Sequence, residues 1–221
     1  TESLSVADPA RQAAWQALTA FEQRRVDRVI EALPNGLDPR DAALARELAL
    51  GVIRHGALYD HLALGLLNKG HQPPALARAL RLACHQLFAL DRVPPHAVGH
   101  TTVELLRWAG EPRLAGVANA VVRKLADLRL PERGEPGPLG RLVPTAVPAD
   151  LGIRHGISRL LIDDLAVTLA ERGEGALAAL NHLPPLCTRS RPQTTVPVGR
   201  SILKREGVFT WWDDPAEAIG W

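Results

Sequence analysis

Proline divides the first 130 residues of this chain into helices. Asp8-Pro9, Asp38-Pro39, Pro73-Pro74, Pro94-Pro95 and Glu111-Pro112 recur along it, each just ahead of an apolar-periodic stretch. Proline has no backbone N–H to donate and a ring that fixes φ near −65°, so it suits the first turn of a helix and is costly further in. An Asp directly before it can accept hydrogen bonds from the free amides of that turn. Each pair therefore marks a helix start.

The spacing of apolar residues supports these starts. Trp15, Leu18 and Phe21 follow the first at three-residue steps. Thr19-Ala20-Phe21-Glu22 fits a capping box, which predicts a restarted helix on a new axis with Val26, Val29, Ile30 and Leu33 buried, ended by Pro34-Asn35-Gly36. After Asp38-Pro39-Arg40-Asp41, Leu44, Leu48 and Val52 share a face, and Tyr59, Leu62 and Leu66 continue it past Gly56. Residues 41–67 are expected as two successive helices or one long helix bent near His55-Gly56. Leu76, Leu80, Ala83, Leu87 and Leu90 keep helical spacing with Cys84 among them; Val98, Val103 and Leu106, then Leu114, Val117, Val121, Leu125 and Leu128, do the same. The expectation is an all-helical bundle of about six or seven helices with short connections.

Composition changes at Pro131. Five prolines and three glycines between Pro131 and Pro148 cannot sustain a helix and read as a linker or an extended wrap. Further on, 157–169 and 175–183 read as helices, 186–196 as strand-like, 198–206 as a short helix and 208–212 as a strand, together a β-α-β fragment. The fold class expected is mainly α: a bundle (1–130), a Pro/Gly-rich linker (131–150), then connector helices and a small, incomplete α/β segment (151–221).

With 221 residues, 46% of them hydrophobic and 23% charged, and a formal net charge of +2, the chain has ordinary globular composition. No apolar run approaches the roughly 18–20 residues of a membrane span, so no membrane partner is expected. Thr1 to Arg11 is polar and does not read as a secretory or transit segment. Two cysteines, Cys84 and Cys187, make no disulfide framework, which points to a reducing, cytoplasmic setting. Arginine outnumbers lysine 23 to 3 among the 26 basic residues. Arg is the better phosphate fork, but coding bias produces the same skew, so position must decide.

Catalytic chemistry is sparse. There is no Gly-x-Gly-x-x-Gly or P-loop spacing, and Gly173-Glu174-Gly175 falls between helical stretches and reads as a helix break. His96 and His100 stand i, i+4 on a helix without a third ligand nearby, so no metal is expected. Cys84 belongs to an apolar helix face, and Cys187 has no adjacent base, so no catalytic residue is assigned. The basic residues say more. Arg189, Arg191, Arg200, Lys204 and Arg205 are opposed only by Glu206 within residues 187–206, and Trp211 and Trp212 follow. Arg189 and Arg191 would share a strand face. Basic side chains with aromatics on a small β-α-β surface suit single-stranded RNA; a strand edge guarded by charge accounts for them equally well. Arg24, Arg25 and Arg28 form a basic arc in the bundle. Arg123 and Lys124, with Arg129, form another at a helix end, where cations also complement the helix dipole.

Three segments carry a resemblance: Asp41-Ala-Ala-Leu-Ala-Arg-Glu-Leu-Ala-Leu-Gly-Val-Ile-Arg-His55, Val93-Pro-Pro-His-Ala97 and Leu114-Ala-Gly-Val-Ala-Asn-Ala-Val-Val-Arg-Lys-Leu125. In order and spacing they resemble the NusB-like domain, in the version found at the N-terminus of the bacterial 16S rRNA cytosine-5 methyltransferase family RsmB/Sun, over about residues 9–130. Asn181-His-Leu-Pro-Pro-Leu-Cys-Thr-Arg189 and Ser201-Ile-Leu-Lys-Arg-Glu-Gly-Val208 are similar, less closely, to the RNA-binding segment that follows in that family. Where the family has Arg-Val-Asn at the end of the first strand, this chain has Arg189-Ser190-Arg191-Pro192, and the usual aromatic is missing from 157–165.

The resemblance implies an RNA-binding, substrate-recognition region of such a methyltransferase without its S-adenosylmethionine-binding catalytic domain. This chain would itself be non-catalytic and hold no cofactor, S-adenosylmethionine being expected of the full-length enzyme. The implied partner is 16S rRNA rather than DNA, contacted by Arg24, Arg25, Arg28, Arg123, Lys124, Arg189, Arg191, Arg200, Lys204 and Arg205. The alternative is a stand-alone NusB-like antitermination adaptor that binds RNA and a ribosomal protein.

Overall fold

The computed structural model describes residues 8–67, 70–131, 137–169, 173–181, 186–189, 202–206 and 209–212. The chain forms two compact units that divide between Glu174 and Gly175. The first contains α1 (Pro9–Glu22), α2 (Pro39–Leu64), α3 (Pro74–Phe88), α4 (Pro95–Trp108), α5 (Ala115–Ala126), a short α6 (Leu151–His155) and α7 (Arg159–Leu169). α8 (Gly173–Ala179) crosses the division.

The first five helices begin close to the starts that the prolines mark, for the reasons given. Asp8 accepts from the Arg11 amide at 3.2 Å, and Asp38 accepts from the amides of Arg40 and Asp41 at 2.8 and 3.0 Å. α2 bends at His55, whose backbone (φ −112°, ψ 16°) is not helical, so one hydrogen-bonded run acts as two rods. The restarted helix expected around 26–33 does not form. α1 runs on through Glu22, Thr19 turns its hydroxyl back to the Trp15 carbonyl at 2.7 Å, and only a 3-10 turn, Val29–Ala32, follows. The box fails because its acid is engaged elsewhere: the Glu22 carboxylate pairs with Arg78 and Arg81 of α3.

The core lies between α1, α2, α3, α4 and α5, with Leu18, Leu48, Leu58, Tyr59, Leu80, Phe88, Leu106 and Leu125 all fully buried. Two polar systems cross it. In one, Arg78 stacks over the Trp15 ring at 4.7 Å and pairs with Glu22, while Arg81 forks onto both Asp60 oxygens at 2.7 Å. In the other, the ring of His85, only 2% exposed, is held at Nδ1 by the Tyr59 hydroxyl (2.9 Å) and at Nε2 by Glu47 (3.2 Å). This ring occupies the space that a side chain at Gly51 would need: a Cβ there would lie 1.9 Å from His85 Cε1. Gly51 thus brings α2 against α3, and a small residue there is a packing requirement.

Residues 137–148 lie against the bundle. Leu142, 2% exposed, joins the core, and its backbone bridges to Arg129, with Val143 donating to the Leu128 carbonyl at 2.9 Å and Leu130 to that of Arg141 at 2.8 Å. Arg141 pairs with Asp91 in the α3–α4 connection, and Arg129 donates to the Val93 carbonyl at 3.1 Å. α6 then docks at the bend of α2 through Gly156, whose φ of +66° and closeness to the Arg54 carbonyl leave no room for a side chain.

The second unit holds β1 (Leu186–Arg189), β2 (Ile202–Glu206) and β3 (Phe209–Trp212), antiparallel in the order β1-β3-β2. This corrects the β-α-β expectation: residues 202–206, expected as part of a helix, are a strand. Cross-strand packing along β3, a tertiary contact, outweighs the local helical preference, with a bulge between Ile202 and Lys204. The remainder of the expected helix and of the first strand, with Arg191 and Arg200, lies outside the described residues.

Candidate nucleic-acid interface

The sheet has two unlike faces. Cross-strand partners project to the same side, so the register sorts the residues into rows. Arg189, Phe209 and Glu206 make one row, and Cys187, Trp211 and Lys204 the next. On this side Phe209 is 43% exposed, Cys187, Arg189 and Lys204 are exposed, and Trp211 is half-buried. The Phe209 and Trp211 rings lie 6.2 Å apart at 45°, and the Lys204 amine sits 5.4 Å from the Trp211 ring centre while pairing with Glu206 at 3.1 Å. The opposite side carries Thr188, Thr210 and Trp212; Trp212 is fully buried and its indole N–H donates to Thr188 Oγ1 at 2.8 Å.

That division separates Trp211 from Trp212, the two aromatics that follow the basic stretch. Consecutive strand residues face opposite ways, so Trp212 goes inward and Phe209 takes its place beside Trp211. Phe209 is not among the candidate residues, although the two-residue period of a strand contains it. Arg189 and Lys204 come to one face through their separate pairings with β3. The register sets Arg205 opposite Thr210, outside both of these rows.

The basic residues of the bundle occupy two places. Arg24, Arg25 and Arg28 lie in the exposed turn after α1, where Arg24 adopts a left-handed φ of +55°. Arg28 pairs with Glu31 at 2.7 Å, whereas Arg24 and Arg25 have no ion pair among the described residues. Arg123 and Lys124 are exposed on the last turn of α5, also without an ion pair among the described residues. The same holds for Arg46 and Arg92, which are not among the candidate RNA-contacting residues. Arg11, Arg78, Arg81, Arg107, Arg141 and Arg154 are, by contrast, each tied to a carboxylate.

Among the described residues of the bundle, none presents an activated nucleophile. Cys84 is fully buried, and burial pushes its thiol far up from the ordinary range. His55, desolvated at the bend and facing His85 and Arg54, is lowered to about 4 and therefore neutral at neutral pH. An open cleft of about 630 Å³ at the ends of α1 and α2 is walled by Leu64, Leu67, Pro74 and Ala77, and its Glu22 and Arg81 are engaged with each other and with Asp60. His96 and His100 lie on the exposed surface of α4.

The NusB family profile matches residues 8–127, which is the bundle from the cap of α1 to the end of α5. The chain belongs to the NusB family. Among solved structures, T. maritima NusB superposes with a TM-score of 0.50 at 19% identity, covering 55% of this chain and 91% of that one, a likeness of fold. The NusB-like chain also resembles longer proteins. The ribosomal RNA small subunit methyltransferase B of Xanthomonas campestris is 32% identical over 99% of this chain and 54% of its own length. A Mycobacterium tuberculosis protein named as a methyltransferase is 32% identical over 84% of this chain and 42% of its own. This chain thus spans about half the length of the curated relatives it matches.

Proposed function

We propose that this NusB-family chain is an RNA-binding, substrate-recognition region of a 16S rRNA cytosine-5 methyltransferase, presenting rRNA to a catalytic domain rather than performing the transfer. The observation that carries this is the division among the arginines. Arg78 and Arg81, which cross the bundle core, are neutralised by carboxylates, while Arg24, Arg25, Arg123 and Lys124 stand in water without ion pairs among the described residues. Unpaired surface cations beside a near-neutral net charge are what phosphate binding needs, since each phosphate neutralised releases counterions. The likeness to a named small-subunit rRNA methyltransferase extends across both units, which favours this over a free-standing adaptor.

S-adenosylmethionine is assigned to the remainder of the full-length enzyme. Among the described residues the sheet is antiparallel and no strand leads through a glycine-rich turn into a helix, so these residues do not fit that group. A cytoplasmic location follows from an rRNA substrate. Titrating the chain with a 16S rRNA fragment at increasing salt tests the assignment. Affinity should fall with a log–log slope of about −0.7 to −0.9 per phosphate contacted. Neutralising Arg24, Arg25, Arg123 and Lys124 together should flatten that slope. No affinity at low salt, or an affinity indifferent to salt, refutes it; capture of a ribosomal protein instead would favour the adaptor.

A further inference from the structure

We propose that the exposed side of the β1-β3-β2 sheet stacks the unpaired bases of single-stranded RNA on Phe209 and Trp211, with Arg189 and Lys204 contacting the adjoining phosphates. This deepens the RNA-binding assignment above and rests on it.

Phe209 lies on the central strand with 43% of its surface in water, beside a Trp211 ring that is half-buried. The alternation cannot be relieved by turning the strand over, because Trp212 and Thr210 are buried on the far side and the Trp212 indole is hydrogen-bonded to Thr188. Two aromatic rings 6.2 Å apart along one strand therefore face outward by construction. Edge protection does not account for them: charges that guard an edge belong on β1 and β2, whereas the rings sit on β3, which has no free edge.

What covers the rings must match their surroundings. Arg189 is in the Phe209 row and Lys204 in the Trp211 row, one on each side of the aromatic strand. Glu206 is the only acid in those rows, and its pair with Lys204 is well exposed on both sides, so an incoming phosphate displaces it at little cost. Cations flanking ring faces on a sheet suit a strand whose bases are splayed out and whose phosphates run alongside. A duplex is excluded chemically, because its bases are stacked on one another and offer no free face. Since every base has a π-face, recognition here is tolerant of sequence.

The test uses the full 221-residue chain with three probes of equal length: oligouridylate, an RNA duplex, and a strand of equal charge lacking bases. Oligouridylate should bind best. Phe209→Leu, which keeps an apolar side chain at a partly exposed position, should weaken it about 5- to 100-fold with the salt slope unchanged. Arg189→Gln should reduce the slope by about 0.7. Short-wave ultraviolet crosslinking of the unmodified chain should attach uridine to Cys187, which pairs across the strands with Trp211, and this readout stands even if a variant folds poorly. Unchanged affinity in Phe209→Leu, equal binding of the base-free strand, or crosslinks confined to the helices would overturn the stacking assignment while leaving RNA binding intact. Failure of every RNA to bind at low salt would overturn both.

Discussion

Gly51→Ala should destabilise the helical unit, although substitution of glycine by alanine inside a helix ordinarily does the reverse. In a helix interior alanine is favoured over glycine by about 0.8–1 kcal/mol. At Gly51 the new methyl would lie 1.9 Å from His85 Cε1, against ordinary contacts of 3.4–4 Å, an overlap of about 1.5 Å or more. The ring cannot yield: Tyr59 and Glu47 hold its two nitrogens, and it is 2% exposed. Moving α2 away from α3 costs about 1–3 kcal/mol by the usual penalty for overfilled cores, and breaking either hydrogen bond adds about 1 kcal/mol or more. A net loss of about 2 kcal/mol is expected in urea unfolding followed by circular dichroism. Two controls isolate the cause. Gly56→Ala, on the same helix with nothing within 4 Å of the new carbon, should be neutral or stabilise by up to about 1 kcal/mol. In a His85→Ala background Gly51→Ala should change sign and stabilise, giving a coupling of about 2–3 kcal/mol. If Gly51→Ala stabilises the unmodified protein, or the cycle shows no coupling, the close approach of α2 to α3 at His85 is wrong.

Three further outcomes follow from the same structure. Because burial lowers His55 to about 4 from an ordinary 6.5, the folded state binds fewer protons there than the unfolded chain. Stability should therefore be complete above about pH 6.5 and fall by about 2–3 kcal/mol toward pH 4, and Glu47, lowered by its bond to His85, should add to the loss below that; a His55→Asn variant with an unaltered profile between those limits would contradict this. Asp38→Ala removes the acceptor for two amides at the start of α2 and should cost about 1 kcal/mol by chemical denaturation, whereas Asp38→Asn should recover most of it. Leu142→Ala should cost about 2–5 kcal/mol of cooperative unfolding free energy if residues 137–148 are part of the bundle; a change below 0.5 kcal/mol, on the order of a surface substitution, would make them an unattached connector.

Much of the bundle is legible because helix starts are local chemistry. Asp8-Pro9 and Asp38-Pro39 place a carboxylate and a fixed φ where the first turn needs them, and no distant residue competes. Thr19–Glu22 shows the limit, since the same local pattern is overridden when Arg78, 56 residues later in sequence, claims the Glu22 carboxylate. Residues 202–206 show it again. Lys204 and Glu206 suit a helix as readily as a strand, and the partner that decides between them, β3, is recognisable only once paired. Of the interface, the basic residues were visible by type, but exposure separates Arg24 and Arg123 from Arg78 and Arg141, and exposure is a property of packing.

The sequence by itself determined where the first five helices begin, where the α2 rod bends within a residue or so, and that the segments at 41–55, 93–97 and 114–125 are NusB-like. Tertiary structure alone decided which arginines are spent inside the fold, that Gly51 must stay bare to admit the His85 ring, and that Phe209 rather than Trp212 stands beside Trp211 in water. The physical reason is range. Capping and periodicity act over one or two helical turns, whereas ion-pair choice, close packing and the sidedness of a sheet depend on groups tens of residues apart that meet only after the chain has folded.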